Sequence, residues 1–126
     1  MSPPPNRARP TVLAALAVAV LLFAGSPATA ADRFVDGIED LPLMPGLDGV
    51  PEASVAFDGV AGRIVVAFAE GGVAMADVRA FYDATLPQLG WERIAADRWA
   101  RAGEELNLDA VIERGGLVVR FELVPR

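Results

Sequence analysis

The 126-residue chain has no cysteine and no histidine, and all 11 of its basic residues are arginine. Each absence closes off a chemistry. Without cysteine there is no disulfide and no thiolate nucleophile, so the fold must hold by packing alone, and no lipid-modified N-terminus is expected. Without histidine or cysteine the usual zinc ligands are missing, and Ser-His-Asp and Cys-His catalysis go with them. Without lysine there is no Schiff base. Beyond residue 30, Ser54 is the sole serine and Thr85 the sole threonine. Gly71-Gly72 is too short for a glycine-rich phosphate loop and has no lysine beside it, so a plain turn is the simpler reading there.

Charge narrows the partners. Seventeen acids against 11 arginines give a net charge of −6, and every acid lies beyond residue 30, so residues 31–126 carry −8. That balance disfavours nucleic acid and anionic membrane surfaces, which are bound through basic side chains.

The N-terminal segment carries Arg7 and Arg9 and no acid, followed by 13 apolar residues at 12–24, a turn at Gly25-Ser26-Pro27, and Ala28-Thr29-Ala30. A basic region, a short apolar core and a small-x-small site make a secretory signal. A membrane-spanning helix would need about 20 apolar residues. Residues 1–30 are therefore expected to be a cleaved signal peptide, cut after Ala30 or Ala31. The expected product is a soluble domain in the periplasm or the medium, with no stable membrane anchor. Ala8 separates the two arginines, which favours the general secretion route over the twin-arginine one.

Residues 31–53 hold Pro42, Pro45, Pro51, Gly37, Gly46 and Gly49, so nothing regular should run far. Ile38, Leu41, Leu43, Met44 and Leu47 are nevertheless apolar. An extended arm laid over the edge or end of the core accounts for them; a docking segment for a partner is the alternative.

Regular patterns begin at residue 54. Residues 54–58 and 63–68 flank Gly59-Val60-Ala61-Gly62 and read as a hairpin. Asp58 should face Arg63, Phe57 should face Ile64, and Val55 should face Val66. These apolar residues, with Phe68, are expected to share the buried face. Val78, Phe81, Tyr82 and Leu86 recur at helical spacing over 75–86. No side chain caps the helix start, Pro87 ends it, and Gly90 releases the chain into a short strand at 91–95. Leu106, Leu108, Ala110 and Ile112 then alternate with polar residues. Leu117, Val119, Phe121 and Leu123 alternate with Val118, Arg120, Glu122 and Val124.

A Gly115-Gly116 turn predicts Ala110 opposite Phe121 and, on the outer face, Asp109 opposite Glu122, a like-charge pair. A Gly103-Glu104 turn would set Arg98 opposite Asp109, to relieve it, and send Trp99 inward toward Ile94. The expected fold is a two-layer α+β domain over 54–126, an antiparallel sheet in the order ββαββββ with one helix on one face. Strand order around the helix is not legible.

Phe81-Tyr82, Leu86-Pro87-Gln88-Leu89-Gly90-Trp91, Leu41-Pro42-Leu43-Met44-Pro45-Gly46-Leu47 and Gly62-Arg63-Ile64 resemble a family of small exported proteobacterial, mainly alphaproteobacterial, proteins of unknown function. The resemblance runs from about residue 40 to the end. It implies an envelope location and no activity, cofactor or functional residue.

The remaining side chains leave thin catalytic options. Glu104-Glu105 are adjacent and should point apart. Asp36, Glu39 and Asp40 lack the alternating oxygens of a calcium loop. Arg93, Arg98 and Arg101 could hold an anion, but ion pairs with Glu92, Asp97 and Asp109 on a solvated face are simpler. Tyr82 and Trp91 sit where core aromatics sit; stacking on a ligand is the other reading. The sequence thus points to a non-catalytic envelope accessory protein without metal or cofactor. It would bind an envelope protein through a sheet edge or the arm at Leu43 and Met44. A small-ligand module in the helix–sheet cleft at Tyr82 and Trp91 is the runner-up, and an enzyme comes last.

Overall fold

The computed structural model describes residues 33–126, which belong to one compact unit. The expected signal peptide lies outside the described residues. Among the described residues, no helix is long and apolar enough to cross a membrane.

The elements are β1 (Phe34–Val35), β2 (Ile38–Pro42), β3 (Asp48–Gly49), a 3-10 turn (Pro51–Ala53), β4 (Val55–Gly59), β5 (Gly62–Gly71), α1 (Met75–Thr85), a 3-10 turn (Leu86–Leu89), β6 (Glu92–Ala95), β7 (Arg98–Arg101), β8 (Glu104–Glu113) and β9 (Gly116–Pro125). From β4 onward this is ββαββββ, a two-layer α+β fold. The seven-stranded antiparallel sheet runs β3-β5-β9-β8-β7-β6, and β4 shares the β5 edge with β3. The helix thus carries the chain from one side of the sheet to the far edge. No side chain caps its start at Ala74, and the 3-10 turn that follows it is closed by Gly90 in the left-handed conformation.

The core lies between α1 and the inner face of the sheet. Val78, Tyr82 and Leu86 meet Leu106, Leu108, Leu117, Val119, Phe121 and Leu123, all buried. The 31–53 segment contributes directly to this core. Val35, Ile38, Leu41, Leu43 and Leu47 are buried, β1 and β2 form a hairpin of their own, and β3 joins the sheet. The segment lies so close to β5 that a Cβ on Gly71 would collide with the Gly46 carbonyl oxygen. Only glycine permits that approach.

This coverage overturns the expected face of the β4–β5 hairpin. Its register is as predicted, with Asp58 opposite Arg63, Phe57 opposite Ile64 and Val55 opposite Val66. Yet the inward residues of β5 are Val65, Ala67 and Ala69. Small side chains suit a face on which helix and arm press closely. Ile64, Val66 and Phe68 are half-buried on the outer face, and Val55 and Phe57 are exposed there. Ile112 points inward as expected but stays 79% exposed, at the hairpin tip beyond the core.

Both C-terminal registers differ from expectation by two residues. Asp109 faces Arg120, Asn107 faces Glu122, and Leu108 faces Phe121. Arg98 faces Asn107 and Trp99 faces Leu106. The turns are Arg114-Gly115 (φ 52° and 81°) and Ala102-Gly103 (φ 48° and 80°). Each turn starts one residue earlier than predicted. Positive φ at both positions disfavours Glu104 as a second turn residue. Gly115-Gly116 would meet that demand, but it would set Leu117 opposite Arg114 and Glu122 opposite Asp109, whereas the observed register sets Leu117 opposite Ile112 and Arg120 opposite Asp109. A shift of two preserves every side chain's face, which is why the inner stripe is correct although its partners are not. The like-charge pair is replaced by Asp109 opposite Arg120. Trp99 is buried but faces Arg93, and Ile94 is partly exposed, because a bulge interrupts β6.

Candidate functional site

Tyr82 anchors the arm to the helix. Its hydroxyl donates to the Pro42 carbonyl (2.8 Å) and accepts from the Met44 amide (3.1 Å). Its ring meets Phe81 and Phe121 edge-on, with centroids 4.9 and 5.5 Å apart. Burial pushes the phenol pKa above its ordinary value. Both capacities of the hydroxyl are already used by backbone, so Tyr82 has a structural job.

Arg101 makes a second latch. Its guanidinium lies 4.4 Å from the centroid of buried Trp91. It pairs with Asp40 of β2 at 2.7 Å and donates to the Leu89 carbonyl at 3.0 Å. The hydrogen bond from Arg101 holds the Asp40 carboxyl below the usual carboxylate range. Leu43 is buried and Met44 packs against the core. Four of the candidates, Tyr82, Trp91, Leu43 and Met44, together with Arg101, therefore sit at the seam between arm and core. Arg98 stands apart on the outer face. It pairs with Glu105 at 2.7 Å and meets Asn107 at 3.2 Å, and the Glu105 carboxyl is held low by that hydrogen bond.

The arginines at 93–101 do not gather. Among the described residues Arg93 bonds only the Ala95 carbonyl, two residues on, and Asp97 is taken by Arg79 at 3.1 Å. Glu104 pairs with Arg63 and Glu105 with Arg98, each at the start of β8 on opposite faces. Among the described residues, no three His, Cys, Asp or Glu side chains stand close enough to hold a metal ion. The Ser54 hydroxyl accepts from the Phe68 amide and donates to the Val50 carbonyl, so it ties β4 to β5.

The open surface lies elsewhere, on the outer face around β4. Val55 and Phe57 keep 55% and 54% of their surface exposed, and Val60 at the adjoining turn is fully exposed. In the ladder they continue into half-buried Val66 and Ile64. A shallow depression of about 650 Å³ extends from Phe68 past Val50 and Val118 to Asp48, Glu70 and Glu113. Tyr82 and Trp91 line neither this depression nor the two smaller ones.

The outer patch escaped sequence reasoning for a physical reason. β5 is apolar on both faces, so alternation cannot say which is covered. The available signal was surplus: the arm's five core residues already supply partners for one face, which leaves the other uncovered. No family model, no curated protein and no solved structure matches this chain.

Proposed function

We propose that this chain is an exported, non-catalytic accessory protein of the periplasm or envelope, and that it binds another protein through the outer sheet face around β4. The observation that carries the reading is the exposure of Val55 and Phe57 beside half-buried Ile64, Val66 and Phe68. Apolar side chains gathered on one patch gain from cover by a partner. The charged half of the same face is already satisfied internally by the Arg98–Glu105 and Arg120–Glu122 pairs. The N-terminal pattern and the resemblance to small exported proteobacterial proteins support the location. The missing nucleophiles, together with Ser54 and Tyr82 engaged by backbone, support a role without catalysis.

The test is a photo-crosslinking side chain at Phe57 in the exporting cells, with one at Asp83 on the outward helix face as control. A partner is expected at Phe57, absent at Asp83, and lost when Val55→Asp is added. Equal labelling at both positions, or none at Phe57, overturns the reading.

A further inference from the structure

We infer that the partner enters as an extended segment, apolar at alternate positions and basic at its ends, that adds to β4 as a further strand; this rests on the protein-binding reading above. The edges of the sheet differ in how they are protected. β3 is two residues long and is followed by Pro51. β6 carries Glu92 and Arg93 and is broken by a bulge. Short length, charge, proline and bulges all block a further strand. β4 has five residues, a regular ladder to β5, no proline, and a single charge, Asp58, near its end. Among the described residues its other side pairs with no strand. An incoming strand would hydrogen-bond along that side, and every second residue would lie beside Val55 and Phe57. Those positions call for apolar side chains.

Charge selects among occupants. Glu52 precedes β4 and Asp58 lies near its end. Neither is in an ion pair among the described residues. Arg63 stands opposite Asp58 in the ladder, but its guanidinium goes to Glu104 at 2.9 Å and Glu39 at 3.8 Å. A second copy of this chain paired through β4 would bring two Glu52 and two Asp58 to one seam, with the ladder's own Arg63 already engaged elsewhere, which opposes pairing. A segment with basic ends turns both carboxylates into attractions.

The test titrates the isotope-labelled full-length secreted product with the synthetic peptide RRTVTVTVTRR, whose paired end charges reach both faces, and with its acidic counterpart EETVTVTVTEE, reading backbone amide shifts. The basic peptide is expected to shift and protect the amides of 55–59. It should bind at least about tenfold more tightly than the acidic one, with a preference that shrinks in added salt. Glu52→Gln with Asp58→Asn leaves the apolar patch intact and should abolish the preference. Equal affinity for the two peptides, shifts centred away from 55–59, or no binding overturns the inference. So does concentration-dependent shifting of these amides without peptide, which would assign β4 to a second copy. If the peptides fail while the Phe57 crosslink in cells persists, strand addition falls and the protein-binding reading stands; if both fail, both fall.

Discussion

On the inner face of the sheet Val65, Ala67, Val119, Phe121 and Leu123 are at most 2% exposed, whereas on the outer face Val55 and Phe57 keep 55% and 54%. The two faces draw on similar apolar side chains. What separates them is cover. The inner face is covered by two segments, α1 with Val78, Tyr82 and Leu86, and the arm with Ile38, Leu41 and Leu47. Among the described residues nothing covers the outer face, and only its far half compensates with polar contacts, through Arg98, Glu105, Asn107, Arg120 and Glu122. Apolarity makes a strand face fit for burial; topology decides whether anything arrives to bury it.

The comparison breaks most sharply at phenylalanine. Phe121→Ala removes a fully buried ring in contact with Tyr82 and should cost about 3–5 kcal/mol in urea unfolding. Phe57→Ala should cost less than about 1 kcal/mol. Equal losses would mean that the outer face is also covered.

The next effect isolates the arm. Tyr82→Phe keeps the ring but leaves the Met44 amide and the Pro42 carbonyl without their partner. The expected loss is about 1–3 kcal/mol. Amide exchange at Met44 should quicken more than exchange within β8 or β9. Uniform quickening would show that arm and core open as one unit.

Smaller still is the Asp40–Arg101 latch, whose carboxylate is half exposed. Its folded pKa is depressed, so its contribution is present above the unfolded pKa and is lost as pH falls through the folded one. Asp40→Asn should therefore cost about 0.5 kcal/mol at neutral pH. The gap from the parent protein should close below pH ~4. A gap that persists in acid would assign the loss to packing against Arg101 instead of charge.

The smallest effect lies on the charged half of the outer face. Arg98→Ala should cost less than about 0.5 kcal/mol and couple to Glu105→Gln, with the coupling shrinking in added salt. Coupling to Asp109 instead would restore the register expected from the Gly103-Glu104 turn.

Much of the fold was legible. Val78, Tyr82 and Leu86 at helical spacing marked the buried side of α1, and alternation in 106–123 marked the inner face of β8 and β9. Pairings failed where a turn choice entered, because Arg114-Gly115 and Gly115-Gly116 both read as turns, glycine accepts positive φ more readily than Arg114 does, and only the cross-strand pairs, Leu117 with Ile112 and Arg120 with Asp109, separate them. The face of β5 failed because Ile64, Val65, Val66, Ala67 and Phe68 carry no alternation to read. The outer patch was not legible as a site, and the residues the sequence offered in its place form the seam between arm and core. Met44 meets Tyr82 and Asp40 meets Arg101 through contacts that span 38 and 61 residues of chain, which no local pattern encodes. The β4 edge could be read only once the arm had been assigned to the inner face.

The central claim, a closed inner face and an outer face open to a partner, is tested most directly by hydroxyl-radical labelling of Phe57 and Phe121, in the purified protein and in the same protein mixed with envelope extract. The account predicts strong labelling of Phe57 when pure, protection of Phe57 in extract, and protection of Phe121 in both. Phe57 already protected in the pure protein, or labelled equally with and without extract, would contradict it.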